Sequence, residues 1–413
     1  MPCFAKLKGK EWELPLPDKM KKNWQELEQK LYLRTAKRVP VTLVRGQGAR
    51  VWDDEGKKYL DFVGGWAVNS LGHCHPVQVK ALTEQAKTLI QASNQFYTVP
   101  QLQLAELLVK YSCCDRVFFC NSGAEANEAA VKLARRYGKL HLNGAYAVIT
   151  TFNSFHGRTL AMVAATGQHK FQEPYVPLPD GFINVNYNDV EAIKKATTAQ
   201  TCAVMVEPIQ GEGGVNVPDD DYLKEIRAWC DQKGILLILD EIQTGLGRIG
   251  TLFGYQQFGI EPDIMTLAKG LGSGVPIGAL LAKEKASVFS PGEHGSTFGG
   301  NPLVCATSLA VLSYIIDKDI PGKVKELGEY LQVGLEILKA KFDIITEIRG
   351  RGLLFAIDLV SDIADEVVLA CLERGLLINK VKPNTLRFIP PLTITRADID
   401  EALAILENVL RSR

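Results

Sequence analysis

The 413-residue chain is 46% hydrophobic and 23% charged, with 47 Lys plus Arg against 47 Asp plus Glu. This is an ordinary composition for a soluble globular protein long enough for two or three domain-sized units and a large buried core. A formal net charge of zero lacks the bulk electrostatic signature of a nucleic-acid or anionic-membrane binder. No apolar run approaches the roughly 20 residues of a membrane span, and the segment MPCFAKLKGKEWELPLPDK lacks an apolar signal core. The nine cysteines include the adjacent pair Cys113-Cys114. An odd, scattered set suits a reducing compartment better than a disulfide framework. The expected location is the cytoplasm.

Taken in chain order, residues 21–37 read as a helix with charges interspersed among Leu27, Leu31 and Leu33. The stretch ARVWDDEGKKYLDFVGG reads as a hairpin turning near Asp54 to Gly56. Short apolar runs then alternate with helical patterns. RVFFC (116–120) precedes the Ala-rich helix NEAAVKLARRYG; AYAVITTF (145–152) and TCAVMVEP (201–208) read as buried strands. The helix YLKEIRAWCDQKG leads into the strand ILLILDE. This alternation predicts an α/β architecture, a mainly parallel sheet covered by helices on both faces. From about residue 306 the rhythm changes. A long amphipathic helix, broken near Pro321, is followed by RGLLFAIDLV, a helix near 365–375, LRFIPPLTIT and a terminal helix. These predict a smaller α+β domain over 306–413 beside a large domain over 66–305, with residues 1–65 packing against the small one.

Several segments carry possible chemistry. GLGRIG (245–250) matches the dinucleotide pattern GxGxxG, but EIQT separates it from its strand and the following TLFGYQQFGIEP does not read as a helix. The context of a phosphate-binding turn is missing, so the glycines read as loop punctuation. Asp240 closes the apolar run before it. Ligands of open α/β sheets sit outside the carboxyl ends of strands, so Asp240 either caps a loop or faces a cation in the cleft. In FFCNSGAEANEA a strand ends, Asn121 to Ala124 turn, and a helix begins. Ser122 is then an ordinary N-cap or, with the free N–H groups of Gly123 and Ala124, part of an anion site. Lys269, between TLA and GLGSG, is a solvated charge or an amine nucleophile. In SFHGRT, Phe155 and Arg158 suit core packing and a surface ion pair, or a stacking ring and a carboxylate clamp; His156 lies between them. Ser296 and Thr297, among the glycines of HGSTFGGNP, suit a tight loop or a phosphate contact. His73-Cys74-His75 has no second cluster to complete a metal site, so no metal is expected. HExxH, Walker A and GxSxG patterns are absent.

Together these segments resemble the pyridoxal-phosphate-dependent aminotransferases of fold type I, class III, the acetylornithine/ornithine group. The resemblance runs from about residue 35 to the C-terminus through AVNSLGHCHP, FFCNSGAEANEA, SFHGRT, VEPIQGEGGV, DEIQTGLGRIG, TLAKGLGSGVPIGA, GSTFGGNP, RGRGLLFAIDL and RFIPPLTIT, in that order. It implies pyridoxal 5′-phosphate as cofactor and a homodimer with shared active sites. Lys269 matches the lysine that forms the internal Schiff base, and Asp240 the carboxylate facing the pyridine nitrogen. Ser122, Gly123 and Ala124 match the phosphate cup, with Thr297 contributed by the neighbouring subunit. Phe155 matches the stacking ring, with His156 beside it, and Gln243 the partner of the phenolic oxygen. Arg158 and Ser296 match the pocket for a remote substrate carboxylate. Arg387 matches the grip on an α-carboxylate, and Glu207 is expected to be its switchable partner. Trp66, where relatives carry a smaller aliphatic residue or a tyrosine, is expected to narrow the pocket entrance. The implied reaction moves the terminal amine of N2-acetylornithine to 2-oxoglutarate. Ornithine, succinyl-diaminopimelate precursors, carrier-bound aminoadipate semialdehyde and 4-aminobutyrate stand as alternative substrates.

Overall fold

The computed structural model describes residues 23–412. The expected first helix is shorter than its pattern, Trp24–Leu31, capped by Asn23 and ended where Tyr32 turns extended; residues 21 and 22 lie outside the described part. None of its residues is buried, so its apolar side chains have no core within the chain to extend it. The expected hairpin follows. Strands β1 (Leu43–Gln47), β2 (Arg50–Asp53) and β3 (Lys58–Asp61) form an antiparallel meander. Asp53 fixes the turn by accepting from the N–H groups of Glu55 and Lys57.

The central sheet consists of β4 (Arg116–Cys120), β5 (Ala147–Thr151), β6 (Phe182–Val185), β7 (Thr201–Val206), β8 (Leu236–Asp240), β9 (Ile264–Leu267) and β10 (Gly278–Ala282), in the order β4-β10-β9-β8-β7-β5-β6. Residues of β5, β7, β8 and β9 are buried throughout, the near-continuous apolar pattern of strands covered on both faces. Only β10 runs against its neighbours. As β4 is also antiparallel to β10, it points the same way as β9, so β4, β5, β7, β8 and β9 all end at one edge. That shared edge positions the site.

Beyond it, β11 (Ile345–Arg351), β12 (Leu354–Leu359), β13 (Leu376–Leu377), β14 (Asn379–Lys382) and β15 (Thr385–Phe388) complete the strands. An antiparallel sheet runs β11-β12-β15-β14, while β13 pairs in parallel with β3 and joins the N-terminal meander. Strand β11 was not foreseen from the sequence. The expected long helix is two, Pro302–Asp317 and Ile320–Lys341. The break falls at Asp319 (φ +44°), whose side chain caps the second helix by accepting from Gly322 N at 3.2 Å. Pro321 sits inside the first turn, where its missing N–H costs nothing. TLFGYQQFGIEP, read as non-helical, contains one helical turn, Tyr255–Phe258. Among the described residues no helix is long and apolar enough to cross a membrane.

The helix Gly123–His141 packs on the sheet through Gly138, where an added Cβ would lie 2.0 Å from the Ala145 carbonyl oxygen and 2.8 Å from Cys202 Cβ. Backbone cannot yield as a flexible side chain would. Gly138→Ala is therefore expected to destabilise by about 1–3 kcal/mol, read as a lower denaturant midpoint at unchanged slope. A midpoint equal to wild type would contradict so close an approach.

Candidate active site

The loops after these strand ends enclose a cavity of about 390 Å³, lined among others by Ser122, Phe155, Glu207, Asp240 and Lys269. Strand β4 delivers Asn121 to Ala124. Ser122 caps the helix Gly123–His141 by accepting from Glu125 N at 3.2 Å, while the N–H groups of Gly123 and Ala124 have no acceptor among the described residues. A Cβ at position 123 would meet Ile242 Cδ1 at 2.7 Å, and Ile242 also lines the cavity. Glycine is what lets the helix start close on that wall.

Asp240, 3% exposed, sits where β8 ends. One carboxylate oxygen accepts from Asn127 Nδ2 at 2.8 Å and lies 2.7 Å from His156 Nδ1; the other accepts from Ile242 N at 3.1 Å. Asn127 is itself fixed, donating to the His156 carbonyl at 2.8 Å and accepting from the Thr266 hydroxyl at 2.7 Å. A buried carboxylate needs such donors, since desolvation alone opposes its charge. Asn127, four positions into the helix, was not singled out from the sequence. Its polarity among buried alanines was the available signal.

Lys269 follows β9 with a left-handed φ of +30°. It is half-buried, and its amine has no hydrogen bond or ion pair among the described residues. Desolvation pulls the amine below the ordinary lysine range. Glu212 opposes that shift, Arg387 adds to it, and Asp240 and Glu207 oppose it. Glu207, 5% exposed, accepts from Phe155 N at 3.2 Å. Burial, reinforced by the nearby Asp240, holds its carboxyl well above the usual carboxylate range.

The expected Glu207–Arg387 pair is corrected here. Arg387, fully buried, donates from Nη1 to Glu212 Oε1 at 2.7 Å, to the Gly211 carbonyl at 3.1 Å and to Gln243 Oε1 at 3.3 Å. The Gly211–Val215 turn, not the start of the loop, meets the guanidinium. Glu212 lies five residues after Glu207 in VEPIQGEGG, and the path of that turn is what brings it, rather than Glu207, to the guanidinium. Arg387 holds Glu212 below its usual range against the burial that would raise it. Gln243 Nε2 donates to Glu212 at 3.2 Å and keeps a second hydrogen. Glu212 and Gln243 line the cavity, so Arg387 meets it through them; its Nη2 has no partner.

Arg158, exposed at the cavity wall, lies 3.8 Å from the Phe171 ring centroid and 5.3 Å from that of Phe155. It pairs with no carboxylate among the described residues. Ser296 and Thr297 are not brought into the cavity of their own chain. The Ser296 hydroxyl accepts from Asn121 Nδ2 and Gly299 N, and Thr297 is exposed. Trp66 is 53% exposed in a left-handed turn (φ +65°), and Val68, two residues on, lines the cavity. GLGRIG forms a loop whose Arg248 is buried against the carbonyls of Leu353 and Pro390. His73 is occupied by Asp61 at 2.8 Å.

The family model for class-III aminotransferases matches residues 31–410. The chain belongs to the class-III aminotransferases. Enzymes of this family work with pyridoxal phosphate, and this aminotransferase has fold type I, the large parallel sheet with a smaller antiparallel one. It is 52% identical over 384 residues to the acetylornithine aminotransferase of Caldanaerobacter subterraneus subsp. tengcongensis, covering 93% of this chain and 98% of that one. It is 50% identical over 389 residues to that of Methanocaldococcus jannaschii, covering 94% and 98%. Among solved structures, ornithine aminotransferase from Toxoplasma gondii superposes with a TM-score of 0.91 at 36% identity over 94% of both chains. Acetylornithine aminotransferase from Elizabethkingia anophelis gives 0.84 at 37% identity over 94% and 98%.

Glu241, next to Asp240, points away from the cavity and accepts from the N–H groups of Gly254 and Tyr255. Burial pushes its carboxyl up from 4.5 to about 7. The folded state then binds a proton that the unfolded chain releases, so this contribution is full below pH 4.5 and lost as pH rises through 7. The loss is on the order of 3 kcal/mol. Glu241→Gln is expected to remove that decline, whatever its baseline stability. Denaturant unfolding at pH 5 and pH 8 measures it: between the two, wild type should lose on the order of 2–3 kcal/mol relative to the variant, and parallel pH dependences would contradict the assignment.

Proposed function

We propose that this aminotransferase transfers the terminal amine of N2-acetyl-L-ornithine to 2-oxoglutarate, giving N-acetyl-L-glutamate 5-semialdehyde and L-glutamate in the cytoplasm. One observation carries the reading: a buried guanidinium, Arg387, screened from the cavity by the Glu212 carboxylate. A site serving two donors must hold an α-carboxylate in one half-reaction and tolerate its absence in the other. An unpaired buried cation is costly, so Glu212 covers Arg387 when the donor lacks that carboxylate near the reacting carbon. Glutamate or 2-oxoglutarate displaces Glu212, and the free Nη2 of Arg387 supplies the second arm of a bidentate grip. Arg158, a cation without a carboxylate, suits the distant carboxylate of acetylornithine. The curated relatives named above act in the same sense by name.

The residues fit the cofactor. Unpartnered N–H groups of Gly123 and Ala124, beside the Ser122 hydroxyl, suit its phosphate. Asp240, steadied by Asn127 and His156, suits the pyridine nitrogen; the spare hydrogen of Gln243 suits the phenolic oxygen; Phe155 offers a ring face. Bound there, the cofactor supplies an aldehyde for the amino group and an electron-poor ring to hold the charge left when the substrate carbon loses a proton. Lys269, its amine favoured neutral by desolvation, is the base that moves that proton. Glu207, held by burial above the usual carboxylate range, accepts from Phe155 N beside the cavity. The exposed Thr297 and the half-buried Ser296 are read as contributions to the cavity of a second copy, making the enzyme a homodimer with shared sites. Trp24, Leu27, Phe96, Tyr97 and Phe298, all exposed on one chain, supply apolar surface for such an interface.

Lys269→Ala is expected to lower kcat by at least about 10²–10⁴-fold and to abolish the visible absorbance change that an amine donor produces in the loaded wild type. A donor panel tests the substrate: acetylornithine should exceed 4-aminobutyrate in kcat/KM, and the reverse order would overturn the choice. Arg387→Ala should raise KM for glutamate on the order of a hundredfold with a much smaller change for acetylornithine. Equal changes for both would remove Arg387 from the α-carboxylate site.

A further inference from the structure

The segment RGRGLL has no part in the chemistry above, yet its first arginine reaches the loop that carries Glu212. Arg349, on β11, forms a bidentate pair with Asp358 on β12, Nη1 to Oδ2 at 2.8 Å and Nη2 to Oδ1 at 2.9 Å. Asp358 also accepts from the Thr385 hydroxyl at 2.5 Å, and Thr385 lies two residues before Arg387 on β15. With its fork aligned by Asp358, Arg349 aims Nε at the Gly214 carbonyl, 2.8 Å away. Bidentate pairing of this kind fixes guanidinium orientation as well as charge.

Gly214 is two residues beyond Glu212, at a turn that needs fixing. Gly214 has φ +126° and Val215 φ +54°, the latter a rare conformation for a β-branched residue that persists only where neighbours impose it. The feet of the loop are tied to the large sheet. Gln210 and Asn216 exchange backbone hydrogen bonds at 3.1 and 3.0 Å, and Gln210 Nε2 donates to Thr151 Oγ1 and the Phe152 carbonyl. Its tip meets the small sheet through Gly211 and Glu212 on Arg387 and through Gly214 on Arg349.

We propose that Arg349 is a positioning residue that sets the balance between the two half-reactions by holding this loop where Glu212 covers Arg387. The proposal rests on the Glu212 switch described above. Anchored at Gly214, the loop presents Glu212 in register, and opening requires only the side chain to leave. Without the anchor the covered state loses its fixed approach, so an incoming α-carboxylate competes against a weaker occupant. The donor without that carboxylate meets Arg387 uncovered more often. A ligand shifts such an equilibrium only through its differential affinity for the two states, and Arg349 acts on the equilibrium without touching either substrate.

The test measures kcat/KM of the loaded enzyme separately for glutamate and for acetylornithine. Arg349→Ala should raise the glutamate-to-acetylornithine ratio about three- to tenfold, in the direction of Glu212→Ala, and should add nothing in the Glu212→Ala background. Arg349→Lys, which retains a cation beside Asp358 but has no Nε to reach Gly214, should shift the ratio the same way by a smaller factor; it serves if the alanine variant folds poorly. Amide hydrogen exchange over residues 211–216 should quicken in both Arg349 variants. A ratio moved by Glu212→Ala but not by either Arg349 variant overturns the proposal and leaves the switch standing. So do equal losses for both substrates, additive effects in the double variant, or unchanged exchange. A ratio indifferent to Glu212→Ala removes the switch itself and the proposal with it.

Discussion

A carboxylate buried at the end of a fully apolar strand has to be held by donors that cannot relax away, and Asp240 is held that way. Its partners come from three places: Asn127 inside a helix, His156 in the loop after β5, and the N–H of Ile242 in its own turn. Asn127 is tied in turn to Thr266 on β9 and to the His156 backbone. One acid therefore links three strand ends and a helix, and the cavity edge is rigid because that acid needs its donors. Lys269 enters this surrounding with a left-handed backbone and an amine without a partner among the described residues, so it is the least committed group in the cluster.

The second charge centre lies where the two sheets meet. Arg387 belongs to the small antiparallel sheet, while Glu212 and Gln243 belong to loops of the large one. Neither sheet alone could neutralise the guanidinium. Its pairing crosses the boundary between the sheets, and the turn from Gly211 to Val215 is the part that crosses. A second cation, Arg158, is spared any such pairing and rests on aromatic faces. Beside the cavity, then, one guanidinium is covered by a carboxylate and another rests on aromatic rings.

Much of this was legible in the chain because the signals were local. A buried strand that ends on an acid, a helix that opens on Ser-Gly-Ala, and a lysine set before glycines each require only neighbours in sequence to be read. Strand β11 was not legible: its residues are mostly half-exposed, it contains Gly350, and two arginines interrupt any alternation. The helix break was misplaced by two residues because proline suits a first turn as well as it ends a helix. The left-handed turn at Trp66, which leaves that ring 53% exposed and Val68 lining the cavity, has no signal in the local pattern. Glu207 was named as the partner of Arg387 and Glu212 was not, since both lie in one glycine-rich loop where no periodicity betrays a side chain's direction.

By itself the sequence determined which residues could carry charge, where strands and helices would alternate, and that an amine and an acid would stand at strand ends. Those properties follow from side-chain chemistry and from hydrophobic period, which need no knowledge of what lies across the fold. Only the tertiary structure decided which carboxylate covers Arg387, which asparagine steadies Asp240, and that Arg349 reaches the loop between them. Such pairings join residues more than a hundred positions apart, and their partners are selected by how two sheets and a turn with positive φ come together rather than by any local preference.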